Sequence, residues 1–290
     1  MKILVTGGSG FIGSYLVDAL LSEGNEIIIF DNMSSGSHTN EKCQIIKGDL
    51  LNPTDLEKIP KVDEVWHLAA NPEVRVGDPD IHEKQNHIAT KNILDWMKNR
   101  GVDKIYFTST STVYGEAEQI PTPESSPLNP ISPYGSSKVS AEAEVTSSGI
   151  NYIIFRFANV IGQRGHGVII DLINKLKQNP NELEILGDGK QSKSYVHISD
   201  CVSAMMFSRK FSREILNIGT SNWITVDKIA DIISEKMNLK PKYSYTGGSR
   251  GWKGDVPKML LSIEKIKALG WYPKYDSKSS AEKTVEDILG

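Results

Sequence analysis

Tyr134 and Lys138 stand four residues apart in Tyr134-Gly-Ser-Ser-Lys138, so on a helix a phenol and an amine share one face, one turn from each other. A phenol has a pKa near 10 and acts as a general base at neutral pH only if that value falls by about 3 units, about 4 kcal/mol. A neighbouring ammonium favours the phenolate, and a further positive charge brought by a ligand adds to the effect. Such a base can strip a hydroxyl proton while the carbon that bears the hydroxyl is oxidised. Thr110 offers a second hydroxyl to the same substrate oxygen. The same spacing also arises on ordinary amphipathic helices, so the reading depends on what precedes it in the chain.

What precedes it is MKILVTGGSGFIG, residues 1–13. Ile3–Val5 reads as a buried strand and Thr6–Gly10 as the turn into a helix over Phe11–Glu23. Gly7 lets the chain turn tightly, Gly10 lets backbone approach a pyrophosphate, and Gly13 lets the helix pack closely on its strand. The N–H groups at that helix start face an anion. A second apolar strand, Glu26–Phe30, ends in Asp31. A carboxylate there accepts both ribose hydroxyls of an adenosine and repels a 2′-phosphate, so the expected cofactor is NAD and not NADP. Its oxidised ring is then the further positive charge beside Tyr134.

These groups must be positioned by a larger frame. Gln44–Lys47, Glu64–Leu68, Lys104–Phe107 and Tyr152–Arg156 read as further strands, with helices over Pro79–Arg100 and from Tyr134 to about Ser147. Strands alternating with helices imply an α/β protein with a doubly wound parallel sheet of Rossmann type, which puts ligands at the carboxyl edge. Asp49, at the end of the third strand, lies within reach of an adenine amino group. Ala69 and Ala70, after the fourth, let backbone lie against a cofactor. Beyond Gly162 the elements shorten: helices over Val168–Lys177, Asp200–Ser208, Val226–Met237 and Ile263–Leu269, strands over Leu183–Leu186, Tyr195–Val196 and Ile215–Ile218. This predicts a smaller mixed α/β C-terminal lobe, with one return to the sheet.

The 290 residues carry a net charge of −3, which argues against a nucleic-acid footprint. Cys43 and Cys201 are isolated, with no Cys/His cluster at ligand spacing, so neither disulfide nor structural metal is expected. No apolar run approaches the roughly 20 residues that span a bilayer, and a strand opening at Ile3 leaves no cleavable leader. The expectation is a cytoplasmic protein with no membrane partner.

Taken together, TGGSGFIG (6–13), Asp31-Asn32, Gly48-Asp49-Leu50, Leu68-Ala69-Ala70, STSTVYG (109–115), YGSSK (134–138), RFANVIG (156–162), Gly187–Gln191, YVHISD (195–200) and RGWKGDVP (250–257) resemble the extended short-chain dehydrogenase/reductase family. The likeness is to its nucleotide-sugar epimerases and dehydratases, and it covers essentially the whole chain. The resemblance implies Tyr134 as base, Lys138 as its partner and as a grip on the nicotinamide ribose, and Thr110 as the hydroxyl beside them. It implies NAD contacts at Gly7, Gly10, Phe11, Ile12, Gly13, Asp31, Asn32, Ser35, Gly36, Asp49, Leu50, Leu68, Ala69, Ala70, Asn86, Ser109 and Ala158, together with Tyr134 and Lys138. Substrate contacts fall on Thr110, Tyr134, Asn159, Val168, Lys193, Arg250 and Asp255, with Asn159 at the diphosphate. Residues 1–163 with 195–220 would bind NAD, and 164–194 with 221–290 the nucleotide sugar. Relatives pair as homodimers through helices matching Pro79–Arg100 and the Tyr134 helix; Trp96 and Met97, on an apolar face that reads first of all as core, would suit such pairing if exposed, and burial inside the monomer explains them as well.

Dehydratases of this family carry an Asp-Glu pair just after the threonine, and decarboxylase-type members a Glu two residues after it. Here those positions are Ser111 and Thr112. With no acid or base to expel hydroxide, oxidation and re-reduction remain, which favours C4 epimerisation of a UDP-hexose of the glucose/galactose type. The alternatives are another nucleotide-sugar enzyme of this family, acting on UDP-N-acetylglucosamine, UDP-glucuronate or a dTDP-sugar, a net-redox reductase, or a non-catalytic dinucleotide-binding module. The family's Arg-Asp is Lys193-Ser194 here, which keeps the charge but loses the bidentate fork, so Arg250 is expected to carry more of the diphosphate. Met259 falls where epimerases vary a residue that limits sugar size, and Arg75 and Lys84 fall near the expected site.

Overall fold

The computed structural model describes residues 1–36, 38–75, 78–252 and 254–290. Its framework begins with β1 (Lys2–Thr6), α1 (Phe11–Ser22), β2 (Glu26–Asp31), β3 (Gln44–Lys47), α2 (Pro53–Leu56) and β4 (Glu64–His67). It continues through α3 (Pro79–His82), a π-helical segment (Glu83–Ile88), α4 (Ala89–Arg100), β5 (Lys104–Thr110), α5 (Pro133–Ser147) and β6 (Asn151–Phe157). The strands are continuous apolar runs, as a sheet covered on both faces requires: Ile3, Leu4, Val5, Ile28, Val65, Trp66, Ile105, Phe107 and Ile154 are all buried. Proline at the first position and a side-chain cap fix three helix starts. Asn52 accepts from Thr54, Asp78 from Asp80, and Ser132 from Gly135.

The second half comprises β7 (Asn159–Ile161), α6 (Val168–Gln178), β8 (Glu182–Ile185), β9 (Ser192–Lys193), β10 (Tyr195–His197), α7 (Ile198–Phe207) and β11 (Glu214–Ile218). After these come β12 (Ile224–Thr225), α8 (Val226–Lys236), β13 (Lys242–Tyr245), β14 (Lys258–Met259), α9 (Glu264–Ala268) and α10 (Ser277–Leu289).

The sheet has seven strands in the order β11-β6-β5-β4-β1-β2-β3. β1 pairs parallel with β2 and β4, β2 with β3, and β4 with β5. The chain winds outward from β1 to β3, then restarts at β4 and winds the other way. The order reverses between β1 and β4, which opens the ligand crevice at their carboxyl ends. The return of β11 to the sheet is the single return expected from the sequence.

Two compact units result. One holds Met1–Val113, Pro130–Arg156 and Met205–Leu216, the other Tyr114–Asn129, Phe157–Ala204 and Asn217–Gly290. The division differs from the sequence boundaries at 114–129 and 217–220, and also at 157–163 and 195–204. There β7 pairs with β10 outside the main sheet, so these residues group with the second unit. The first unit's core includes Leu94, Trp96, Met97, Phe107, Val145 and Ile154. The second is centred on Ile169, Leu172, Ile173, Leu183, Ile229, Ile233 and Val285, from α6, β8, α8 and α10.

Trp96 and Met97 are 4% and 0% exposed, inside the first core, as their place on the apolar face of the helix suggests, and they give no support to pairing of copies. Two expectations are corrected here. Pro79–Arg100 is helical throughout but is not one α-helix, because a π turn interrupts it over Glu83–Ile88. The last helix is α10, not Ile263–Leu269. Asp276 caps it by accepting from the Ser279 N–H, while the Asp276 N–H donates to the Ser279 hydroxyl. Among the described residues no helix is long and apolar enough to cross a membrane, and no group of three or more His, Cys, Asp or Glu could hold a metal ion.

Candidate active site

The turn after β1 is built by close approach. Gly7 has φ +69, and a Cβ there would lie 2.6 Å from the Ala69 nitrogen across the reversal point. A Cβ on Gly13 would sit 2.2 Å from the Gly7 carbonyl oxygen, so α1 can start where it does only with glycine. The α1 N-terminus, at Gly10, carries no side-chain cap, which leaves its first N–H groups turned toward whatever occupies the crevice. The Ser9 hydroxyl is buried and without a hydrogen-bond partner. Asp31, at the end of β2, is 8% exposed. It accepts the Ser9 N–H on one oxygen at 3.1 Å and the Met33 N–H on the other at 2.8 Å, leaving further lone pairs on both. The loop bearing Asn32, Ser35 and Gly36 is tied to the turn by the His38 N–H, which donates to the Ser9 carbonyl at 3.2 Å.

The proposed chemical groups gather on β5 and α5. Lys138 Nζ, buried, donates to the Thr108 carbonyl at 2.8 Å and lies 4.7 Å over the Phe107 ring. Burial pulls this ammonium down to about 8, and the Glu142 carboxylate opposes that. Burial pushes the Tyr134 phenol up to about 12, and its hydrogen bond with the Thr110 hydroxyl pulls the other way. The protein alone therefore does not hold a low-pKa phenol, contrary to the effect expected from Lys138. Thr110 also meets the Thr112 hydroxyl at 3.1 Å. The Ser109 hydroxyl, expected at the cofactor, instead donates to Glu142.

The remaining expected contact residues are placed as follows. The Leu50 side chain is in the core, and its carbonyl accepts from Asn92. Asp49 is exposed, with one oxygen accepting the Leu51 N–H at 2.9 Å. Phe11, Ile12, Leu68, Ala69 and Ala70 are half-buried. Asn86 is buried in the π turn: it accepts the Asn71 N–H at 2.7 Å and donates to the Ser137 hydroxyl at 3.0 Å. Arg75 and Lys84 are exposed.

In the second unit Lys193, Arg250 and Asp255 come together. Lys193 pairs with Asp255, their side chains 12% and 2% exposed, and its Nζ lies 4.7 Å over the Trp252 ring. The other Asp255 oxygen accepts the Gly251 N–H at 3.0 Å. Arg250 donates to the Asp255 carbonyl and pairs with Glu116. Both cations thus already carry carboxylate partners. Asn159 Nδ2 donates to the Ser194 carbonyl at 3.2 Å, and the Ala158 N–H to the Ile218 carbonyl at 2.8 Å. Val168 opens α6, and Met259 lies in β14, in register with Lys193.

The model of the NAD-dependent epimerase/dehydratase family matches residues 3–219, most of the chain. The chain belongs to that family. Three solved structures resemble it over its length. UDP-glucose 4-epimerase of Thermotoga maritima, with UDP-glucose, is 34% identical with a TM-score of 0.93, covering 100% of this chain and 99% of its own. Its Thermus thermophilus counterpart, in complex with NAD, is 30% identical with a TM-score of 0.91 at the same coverage. UDP-N-acetylglucosamine 4-epimerase of Methanobrevibacter ruminantium, with UDP-N-acetylmuramic acid, is 31% identical with a TM-score of 0.88, covering 99% and 98%.

NAD is accordingly the cofactor of this epimerase/dehydratase family member, and the residues fit it. The uncapped helix start and the unpartnered Ser9 hydroxyl await an anion, and Asp31 has acceptor capacity left for hydroxyls. Ser9 is absent from the sequence-based set. Its signal was available, as the one hydroxyl inside the glycine turn. Ser137 and His82 are absent too. His82 stands edge-on to Tyr134, ring centroids 5.9 Å apart, and its Nδ1 lies 3.3 Å from Asn86 Nδ2.

Proposed function

We propose that this protein is a 4-epimerase of UDP-glucose and UDP-galactose, which oxidises C4 of the sugar to a ketone and reduces it again on the other face. The observation that carries the reading is the triplet Thr110, Tyr134 and Lys138 on β5 and α5, with Ser111 and Thr112 where a dehydratase would need carboxylates. The family membership and the names of its neighbours support the same class of reaction.

Gly7, Gly10, Gly13, Ser9 and the α1 N-terminus would hold the pyrophosphate of NAD, and Asp31 its adenosine ribose. Bound NAD supplies a two-electron acceptor and donor beside C4. Tyr134 takes the C4 hydroxyl proton and later returns it, while the Thr110 hydroxyl orients the same oxygen. Lys138 adds to the positive charge, lacking in the protein alone, that the oxidised ring of bound NAD would bring to Tyr134, and grips the nicotinamide ribose. Asn159 and Arg250 would hold the substrate diphosphate. Arg250 is the more exposed cation and pairs with an exposed carboxylate, so it can exchange partners at least cost. Lys193 and Asp255, mutually neutralised, would hold Gly251 and Trp252 in place and offer hydrogen bonds. Two free cysteines suit the reducing cytoplasm in which such sugars are made.

The test is to incubate the purified protein, with no cofactor added, separately with UDP-galactose, UDP-N-acetylgalactosamine and UDP-galacturonate, and follow each by proton NMR. Conversion of UDP-galactose at the highest kcat/KM is the expected result. Preference for either of the others would replace the glucose/galactose assignment.

A further inference from the structure

The catalytic helix carries a second buried charge that the proposed reaction does not use. Glu142 lies one turn beyond Lys138 on α5, and Arg156 reaches it from β6. Arg156 Nε donates to the two carboxylate oxygens at 3.0 and 3.2 Å and a terminal nitrogen donates at 2.6 Å, with both side chains 4% exposed. Glu142 also accepts the Ser109 hydroxyl. Three successive residues of β5 are thus tied to α5: the Thr108 carbonyl by Lys138, Ser109 by Glu142, and Thr110 by Tyr134.

Stability alone does not call for this arrangement. Replacing a buried ion pair by apolar side chains of similar volume is commonly neutral or stabilising. What the pair does is fix a carboxylate, with Arg156 on its far bonds, one turn from a lysine that burial would otherwise discharge. The titratable and charged groups around Lys138 are few. Tyr134 and Glu142 share its helix, His67 faces it from β4, and Arg156 from β6 is engaged with Glu142. His67 contributes no charge, because burial and the Lys138 ammonium hold it down at about 3. The Thr108 carbonyl and the Phe107 face complete the surroundings.

We propose that Glu142, oriented by Arg156, is a positioning residue that keeps the Lys138 ammonium protonated while it serves Tyr134. This rests on the reading of Lys138 given above, and its test is independent of turnover. Protein carrying 13Cε-labelled lysine, with its resident cofactor, is titrated by NMR, and the Lys138 signal is assigned from Lys138→Arg. The variants are Glu142→Gln and the double variant Glu142→Gln with Arg156→Met, which removes both charges and leaves neither buried alone.

An opposite charge within about 4–6 Å is worth about 1–3 pKa units. The Lys138 midpoint should therefore fall by about one unit or more in Glu142→Gln, and in the same direction but by less in the double variant, which also removes the Arg156 cation, folding being judged by the melting curve and NAD content. The alkaline limb of kcat should move down with it. Glu142→Asp should restore most of both, and Glu144→Gln, on the same helix beside His87, should leave the midpoint in place. An unmoved midpoint in a folded variant would overturn the proposal and reduce the pair to packing. A moved midpoint in a protein that epimerises no UDP-sugar would uphold it and dismiss the reaction instead.

Discussion

Lys138→Met is the perturbation whose consequences the structure fixes most fully. Burial places the Tyr134 phenol at about 12, roughly five units above neutrality. At about 1.4 kcal/mol per unit, that is about 7 kcal/mol to be supplied by positive charge before the phenolate forms freely. That value already includes Lys138, so the cofactor's ring must supply most of those units, and the ammonium's own share, about 1–3 units, shows only in the loaded site. Removing the amine should lower kcat at pH 7 by about 10- to 1000-fold. The loss should shrink tenfold for each unit of pH raised, because the remaining phenol then ionises toward its own value. The unaltered enzyme behaves differently on the alkaline side, losing activity as Lys138 discharges at about 8. The assay is kcat for UDP-galactose from pH 6 to 10, at saturating substrate and NAD so that weakened ribose binding does not enter. A loss of equal size at every pH, or one below tenfold, would refute the electrostatic role of Lys138.

Other outcomes follow from neighbouring groups. Tyr134→Phe removes one hydroxyl from a half-buried ring, so it should keep NAD and melting temperature while kcat falls by about 100- to 10,000-fold; near-normal turnover would remove the base assignment. Asp31→Ala leaves the Ser9 and Met33 N–H groups without their carboxylate and removes the charge that repels a 2′-phosphate, so NAD selectivity over NADP should collapse; unchanged selectivity, measured from the two dissociation constants, would place ribose recognition elsewhere. His67 is buried between the Thr6 and Thr90 hydroxyls and held at about 3. A folded value below the unfolded 6.5 means stability is present above that pH and lost as pH falls through the window down to 3. By pH 4 the loss from this residue is about 3 kcal/mol. Urea unfolding of a His67→Asn variant should show a correspondingly shallower acid decline, and parallel curves would argue that the imidazole does not stay neutral.

The parts of the site legible in the sequence are those where local chemistry leaves little choice. At Gly7 and Gly13 a side chain has no room, and Asp31 ends a strand whose four preceding residues, Ile27–Phe30, are apolar. Tyr134 and Lys138 are neighbours because a helix makes them so, and Ser132 and Pro133 announce that helix. What was not legible depends on pairs distant in sequence. Lys193 and Asp255 are 62 residues apart, and no local pattern shows that each occupies the other. Ser109 meets Glu142 across 33 residues, so its hydroxyl already has a carboxylate partner. The π turn at Glu83–Ile88 leaves apolar spacing almost unchanged, so periodicity could not reveal it. Helix α10 opens on polar residues, and its inward side chains, Ala281, Thr284 and Val285, are small. Its Asp276–Ser279 capping pair was the better signal.

The central claim is that C4 is oxidised and re-reduced with the same hydrogen, and this can be read directly. UDP-galactose carrying deuterium at C4 is incubated in ordinary water with the purified protein and no added cofactor, and the product is examined by proton NMR and mass spectrometry. The account predicts UDP-glucose with deuterium retained at C4. Product with hydrogen at C4 would mean that the proton exchanges with solvent, and would contradict epimerisation by transient oxidation.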